Sequence, residues 1–138
     1  MGCGYSVYSE KDDVIFKHTK APAPGIRKVV KMFKKENGLL FRLELQGGEW
    51  AFYNDTDEYE FHVRYVFNGD SDIDALDDAT LSEMDDGTVV VELIVYPRET
   101  AMFVKGDITG AQGRVEAQPV SERYKREKIK RKVLAKGG

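Results

Sequence analysis

The clearest pattern in the chain is a strict alternation over Tyr59–Phe67. Tyr59, Phe61, Val63, Tyr65 and Phe67 share one face, while Glu60, His62 and Arg64 share the other. Side chains two apart on an extended backbone point the same way, so this run predicts a strand with one face in a core. Residues 39–45 alternate too, with Leu39, Phe41, Leu43 and Leu45 on one face and Leu40, Arg42 and Glu44 on the other. A strand is expected over 49–53, where Trp50 and Phe52 fall together. Residues 88–96 are apolar on both faces apart from Glu92, which predicts a central strand covered on both sides. Shorter strands are expected over 14–16, 101–105 and 114–117.

Turn residues punctuate these runs. Gly47-Gly48 is read as a turn, and Asn37-Gly38 and Asn68-Gly69 as hairpin turns, because Asn and Gly tolerate the positive φ such turns need. Pro22 and Pro24 make 19–25 an extended loop. Residues 28–35 are ambiguous: Val29, Val30, Met32 and Phe33 have helical spacing, yet an Asn-Gly turn follows at once, which favours a strand. Residues 70–86 are acidic and weakly patterned, and read as a long loop or a short edge strand about 80–84. Residues 121–136 hold helix formers but too few apolar positions to dock, so a disordered segment or a frayed helix is expected. The sum is an all-β protein, an antiparallel β-sandwich of about eight short strands with flexible N- and C-terminal tails. It divides into an N-terminal segment (1–11), a β domain (12–120) and a basic tail (121–138).

Length and composition agree with this. A chain of 138 residues fits one domain, and its β-branched and aromatic residues far outnumber its Leu and Ala. No apolar run is long enough for a transmembrane helix, and none follows Met1 in the manner of a secretory signal. One cysteine excludes an internal disulfide framework, and one cysteine with two histidines excludes a clustered zinc cage.

Charge changes the picture more. The net charge is −3, but from Ser121 onward eight basic residues face two acidic ones, a surplus of six that leaves −9 for the rest. Between Asn54 and Gly87 twelve acidic residues face a single Arg64. A nucleic-acid-binding domain spreads basic residues over its folded face, so no nucleic-acid partner is expected. An acidic body with a basic end fits a body repelled by anionic surfaces and an end drawn to them. Arg123, Lys125, Arg126, Lys128, Lys130, Arg131 and Lys132 are the candidate membrane-electrostatic residues.

The most specific motif is Met1-Gly2-Cys3-Gly4-Tyr5-Ser6, which fits the N-myristoylation pattern. Removal of Met1 frees the Gly2 amine for the myristoyl chain, and the chain's one cysteine, Cys3, stands beside it as a palmitoyl acceptor. A single myristoyl chain binds membranes only marginally, with an association constant of about 10⁴ M⁻¹, so stable anchoring takes a second chain or a basic patch.

Catalytic readings find little support. The sole thiol lies next to the chain start with no rigid cleft to hold it, His62 sits on the polar face of a strand, and no G-x-S-x-G, P-loop or G-x-G-x-x-G occurs. Asp70-Ser71-Asp72-Ile73-Asp74 begins like a calcium loop, but Ala75 and Leu81 stand where an EF-hand needs Gly and Glu. A looser site from Asp70, Asp72, Asp74, Asp77 and Asp78 is the alternative to a solvated acidic loop. No catalytic residue, cofactor or metal is expected.

Four stretches carry a resemblance. Gly38-Leu39-Leu40-Phe41-Arg42, Glu49-Trp50-Ala51-Phe52-Tyr53-Asn54-Asp55-Thr56, Tyr96-Pro97-Arg98-Glu99-Thr100 and Pro119-Val120-Ser121-Glu122 resemble the calpain-related domain of kinetoplastid calpain-like proteins. With the acylation motif, the chain is similar to the small myristoylated proteins of trypanosomatids. The resemblance covers roughly residues 20 to 123. It implies acylation at Gly2 and Cys3, attachment to the inner leaflet of the flagellar or plasma membrane, and no peptidase activity. The expected function is a non-catalytic, membrane-anchored structural or adaptor protein that meets membrane lipid through its acyl chains and a protein partner at the membrane. The alternative is a lipid-binding module that holds an acyl chain or lysolipid in the sandwich. Trp50, Phe52 and Tyr53 would line a binding surface in that case, or the core otherwise.

Overall fold

The computed structural model describes residues 14–33 and 36–126. Nine strands form there: β1 (Ile26–Lys31), β2 (Leu40–Leu45), β3 (Glu49–Asn54), β4 (Tyr59–Phe67), β5 (Asp72–Ala75), β6 (Thr80–Glu83), β7 (Val89–Val95), β8 (Thr100–Asp107) and β9 (Ala111–Pro119). A five-stranded sheet runs β1-β2-β3-β8-β5 and a four-stranded sheet β6-β7-β4-β9. Every pairing is antiparallel. The fold is the all-β sandwich that the alternation predicts, with nine strands in place of about eight. Among the described residues no helix is long and apolar enough to cross a membrane.

The main core lies between the sheets. Phe61, Val63, Tyr65 and Phe67 of β4 and Val89, Val91, Leu93 and Val95 of β7 pack against Leu40, Phe52, Phe103 and Val104 of the other sheet. Phe52, Phe61, Phe67 and Phe103 are wholly buried. The Phe52 and Phe103 rings meet edge to face with centroids 5.1 Å apart, a favoured aromatic geometry. Tyr59, at the start of the alternating face, is exposed.

Residues 39–45 alternate as read, but the larger apolar face looks the other way. Phe41, Leu43 and Leu45 join Val29, Ala51 and Tyr53 in a second core, on the face of the five-stranded sheet turned away from its partner. Val14 and Phe16 close that core from outside. The Phe16 ring stands edge-on to Phe41 at 5.0 Å and to Tyr53 at 5.9 Å. The expected strand at 14–16 is not one. The segment crosses a sheet face instead of lying along an edge, so no ladder is open to its N–H groups, and side chains satisfy them.

Other expectations are corrected in detail. The Asn37-Gly38 hairpin is real as a β1–β2 pairing, but residues 32–39 separate the strands, so its turn is not the two-residue kind. Asn68-Gly69 is not a hairpin turn: β5 leaves β4 and pairs with β8 in the opposite sheet. The weakly patterned acidic stretch forms two four-residue edge strands, β5 and β6. β7 is central within its sheet, between β6 and β4, yet its outer face is not fully covered, since Glu92 and Ile94 are exposed. Of the segment read as disordered or a frayed helix, residues 122–126 are described and form a turn of helix. Ser121 caps it, its Oγ accepting from the Tyr124 N–H at 3.1 Å.

Candidate functional site

The four stretches that carry the resemblance meet at one corner of the sandwich, residues 54–60, where the chain passes from β3 to β4. Asn54 is fully buried, and its amide group is saturated. Its Nδ2 donates to the carbonyls of Tyr59 (2.8 Å) and Val95 (3.0 Å). Its Oδ1 accepts from the Thr56 N–H (3.0 Å) and hydroxyl (2.8 Å). The backbone N–H groups of Asn54 and Asp55 donate to the carbonyls of Glu99 and Leu39. One residue thus ties both sheets and the β7–β8 turn together. In that turn Arg98 takes a left-handed φ of 61°. Its guanidinium grips both oxygens of Asp57 at 2.8 Å in a fork.

Asp55 holds the N-terminal segment. Its Oδ2 accepts from the Lys17 N–H at 2.6 Å, and its Oδ1 from the His18 N–H at 3.0 Å and the Tyr53 hydroxyl at 2.8 Å. Asp55 is buried. Burial first, and then the bond to the Asp55 carboxylate, push the Tyr53 hydroxyl well above its ordinary pKa, so it stays a donor. The Ile15 N–H donates to Asn37 Oδ1 at 2.9 Å, and the Thr100 hydroxyl holds the Pro22 carbonyl at 2.9 Å. Residues 14–22 are therefore fastened to the same end of the sandwich.

The C-terminal end hangs from that corner too. The Val120 N–H donates to the Glu58 carbonyl and the Ser121 N–H to Glu60 Oε1 at 2.9 Å. Glu60 was placed on the polar face of β4, yet it is only 4% exposed. Burial works against its charge, but the bonds from Ser121 and from the His62 ring, at 2.7 Å, outweigh it and hold the carboxyl below its usual range. That pairing accounts for His62.

At the side of the interface Arg42 enters the space between the sheets. It stacks over Trp50 with 4.2 Å from its guanidinium carbon to the ring centroid, and donates to the Tyr65 hydroxyl (3.0 Å) and Glu44 (2.8 Å). Its Nε is buried without a hydrogen bond. The alternation groups Arg42 with Leu40 and Glu44, and that face of β2 turns to the other sheet. The Trp50, Tyr65 and Glu44 partners explain how a cation sits there. Phe52 and Tyr53 are core, and Trp50 is half-buried beneath Arg42.

Of the sequence-derived site residues, Gly2 and Cys3 lie outside the described residues, as do Lys128, Lys130, Arg131 and Lys132. Arg123, Lys125 and Arg126 are exposed on the terminal turn of helix. The candidate calcium ligands are spread out: Asp70 accepts from Thr109, Asp72 and Asp74 lie on β5, and Asp77 and Asp78 precede β6. Among the described residues no three His, Cys, Asp or Glu converge to hold a metal.

Comparison with known proteins places these features. A family model described as a domain of unknown function (DUF1935) matches residues 16–120. The small myristoylated protein SMP-1 of Leishmania major, known from its NMR structure, is 39% identical, with a TM-score of 0.80 over 95% of this chain and 98% of that one. A Leishmania major hypothetical protein is 37% identical, with a TM-score of 0.69 over 79% of this chain and 96% of that one. No curated protein matches. The kinship to small myristoylated proteins rests on these relatives; the calpain-related part of the resemblance does not.

Proposed function

The chain belongs to the DUF1935 family, and from that premise we propose that it is a non-catalytic, acylated, membrane-associated structural or adaptor protein. It carries an N-myristoyl group on Gly2 and an S-palmitoyl group on Cys3, and sits at the cytoplasmic face of the flagellar or plasma membrane. The observation that carries this reading is the near full-length similarity to a small myristoylated protein in a chain that itself begins Met1-Gly2-Cys3-Gly4-Tyr5-Ser6.

Two structural points support it. The N-terminal segment and the start of the basic tail are held by neighbouring residues, Asp55 and the pair Glu58 and Glu60. Residues 15–18 and 120–121 therefore lie at the same end of the domain, which supports a reading in which acyl chains and tail cations meet one leaflet, each Lys or Arg adding about 1 kcal/mol near anionic lipid. The inter-sheet space is filled by fully buried phenylalanines, which supports an adaptor over a carrier with an acyl chain inside.

Membrane fractionation of two variants tests the proposal. Gly2→Ala blocks myristoylation and, with it, the membrane sampling that palmitoylation needs, so it should be fully soluble. Cys3→Ser keeps one chain and should bind weakly and reversibly. Mass spectrometry of the wild-type N-terminal peptide should find both acyl groups. Retention of Gly2→Ala on membranes would mean that the fold itself binds lipid or a resident protein.

A further inference from the structure

The outer faces of the two sheets are treated differently. Val14 and Phe16 cover the five-stranded sheet. On the four-stranded sheet Ile94 is 37% exposed, opposite His62 on β4. Two open grooves of about 330 and 340 Å³ share Asp78, Leu93 and Ile94 and so form one trough, which runs from this face round the side of the sandwich to Thr100–Met102 of β8 in the other sheet. Tyr96, Glu99 and Met102 line one end, and His62, Thr80 and Glu92 the other. Four carboxylates, Asp77, Asp78, Glu92 and Glu99, line it beside the exposed Ile94. Arg64 approaches Glu92 at 3.9 Å, a loose and exposed pair.

The chain leaves the described domain beside this trough. Tyr124 lies flat on Tyr96, with ring centroids 4.9 Å apart and planes 10° from parallel. After Arg126 come twelve residues, of which Lys128, Lys130, Arg131, Lys132 and Lys136 are basic, Glu127 is acidic, and Ile129, Val133 and Leu134 are apolar. Twelve residues reach about 40 Å when extended and about 18 Å as a helix, and either spans the trough from Tyr96.

We propose that residues 127–138 dock into this trough on the same molecule when the protein is off the membrane. The lysines and arginine pair with the carboxylates, and Ile129, Val133 and Leu134 cover Ile94. Exposed ion pairs are worth only about 0–1 kcal/mol each. The short tether, however, gives an effective concentration of the order of millimolar, so even a weak contact is substantially occupied. The same cations are then withheld from an anionic leaflet until lipid competes for them. The docking goes beyond the acyl-anchor reading and does not depend on it, because it concerns the unacylated protein in solution.

The test uses full-length, unacylated, ¹⁵N-labelled protein with a nitroxide at Lys136→Cys in a Cys3→Ser background. Backbone amides of Asp78, Thr80, Ile94 and Glu99 should broaden relative to the reduced label. The broadening should vanish at 1 M salt, where the Debye length is about 3 Å, and weaken in an Asp77→Asn, Asp78→Asn double variant whose spectrum is otherwise unchanged. Vesicles of phosphatidylserine and phosphatidylcholine should release it, and persistence of the broadening on vesicle-bound protein overturns the competition. Absent or uniform broadening overturns the docking. So does broadening seen only between spin-labelled and ¹⁵N-labelled molecules mixed together, since the occupant is then a second copy.

Discussion

Replacing Asp55 by Ala should release the N-terminal segment while leaving the sandwich folded. Asp55 is 1% exposed and accepts from three donors. The Lys17 and His18 N–H groups belong to exposed residues, so water takes them up once the carboxylate is gone, and each lost bond costs about 1 kcal/mol net. The Tyr53 hydroxyl is in a buried bond, and leaving it without an acceptor costs about 1–3 kcal/mol. The total is about 3–5 kcal/mol, which for a domain of this size is about 10–20 °C in melting temperature. Asp55→Asn keeps one acceptor oxygen but turns an NH₂ toward one of the donors, and should fall about midway. Urea unfolding followed by Trp50 fluorescence measures the loss. Hydrogen exchange locates it: the Lys17, His18 and Ile15 amides should lose protection, while those of β4 and β7 change only as global stability does. A loss below about 1 kcal/mol with Lys17 and His18 still protected would refute the assignment of Asp55 as the clamp.

Three further outcomes are expected. Phe61→Ala removes a wholly buried ring at the centre of the main core and should cost about 3–5 kcal/mol by urea unfolding. Gly113→Val should cost about 1–3 kcal/mol, because Tyr65 lies over the position a Cβ would take on its β9 partner; the displaced ring would also lose its bond to Arg42, visible as a shift in Trp50 emission. The Glu60 carboxyl titrates below its ordinary 4.5 in the folded protein. Its contribution is therefore complete above the unfolded pKa and disappears as pH falls through the folded one. Glu60→Gln should flatten that acid limb in urea midpoints collected between about pH 3 and pH 6.

The element pattern was readable wherever one face had to be apolar. β4 begins and ends at the residues the alternation picks, because large apolar residues at every second position leave one register. β1 won over a helix because Lys28–Lys31 pairs with Phe41–Glu44 across the sheet, which local spacing does not encode. Which face of β2 looks to the other sheet was not readable: alternation groups Phe41 with Leu43 but says nothing about what covers them, and here Val14 and Phe16 do. Arg42 and Glu60 were missed for the same reason. Both stand at polar positions of strands and are covered by partners distant in sequence, Trp50 and Tyr65 for one and Ser121 for the other. A signal for the corner did exist, since the run Asn54-Asp55-Thr56 sets three side-chain acceptors at a strand end. The acylation residues were legible only as a motif.

The route of the N-terminal segment across the sheet face has a mechanical side. It is attached by single bonds at Ile15, Lys17, His18, Pro22 and Gly25 and by the seats of Val14 and Phe16, whereas β4 is laddered along its length to both β7 and β9. A tug transmitted through residue 13 is borne first by the segment, which peels one contact at a time, while the ladders of the sandwich carry none of it until the segment is free. With the acyl anchor proposed above, slack would be stored next to it: the residues back to Ile26 would pay out as tether under tension and be drawn in again when Phe16 finds its seat, decoupling a moving bilayer from the fold.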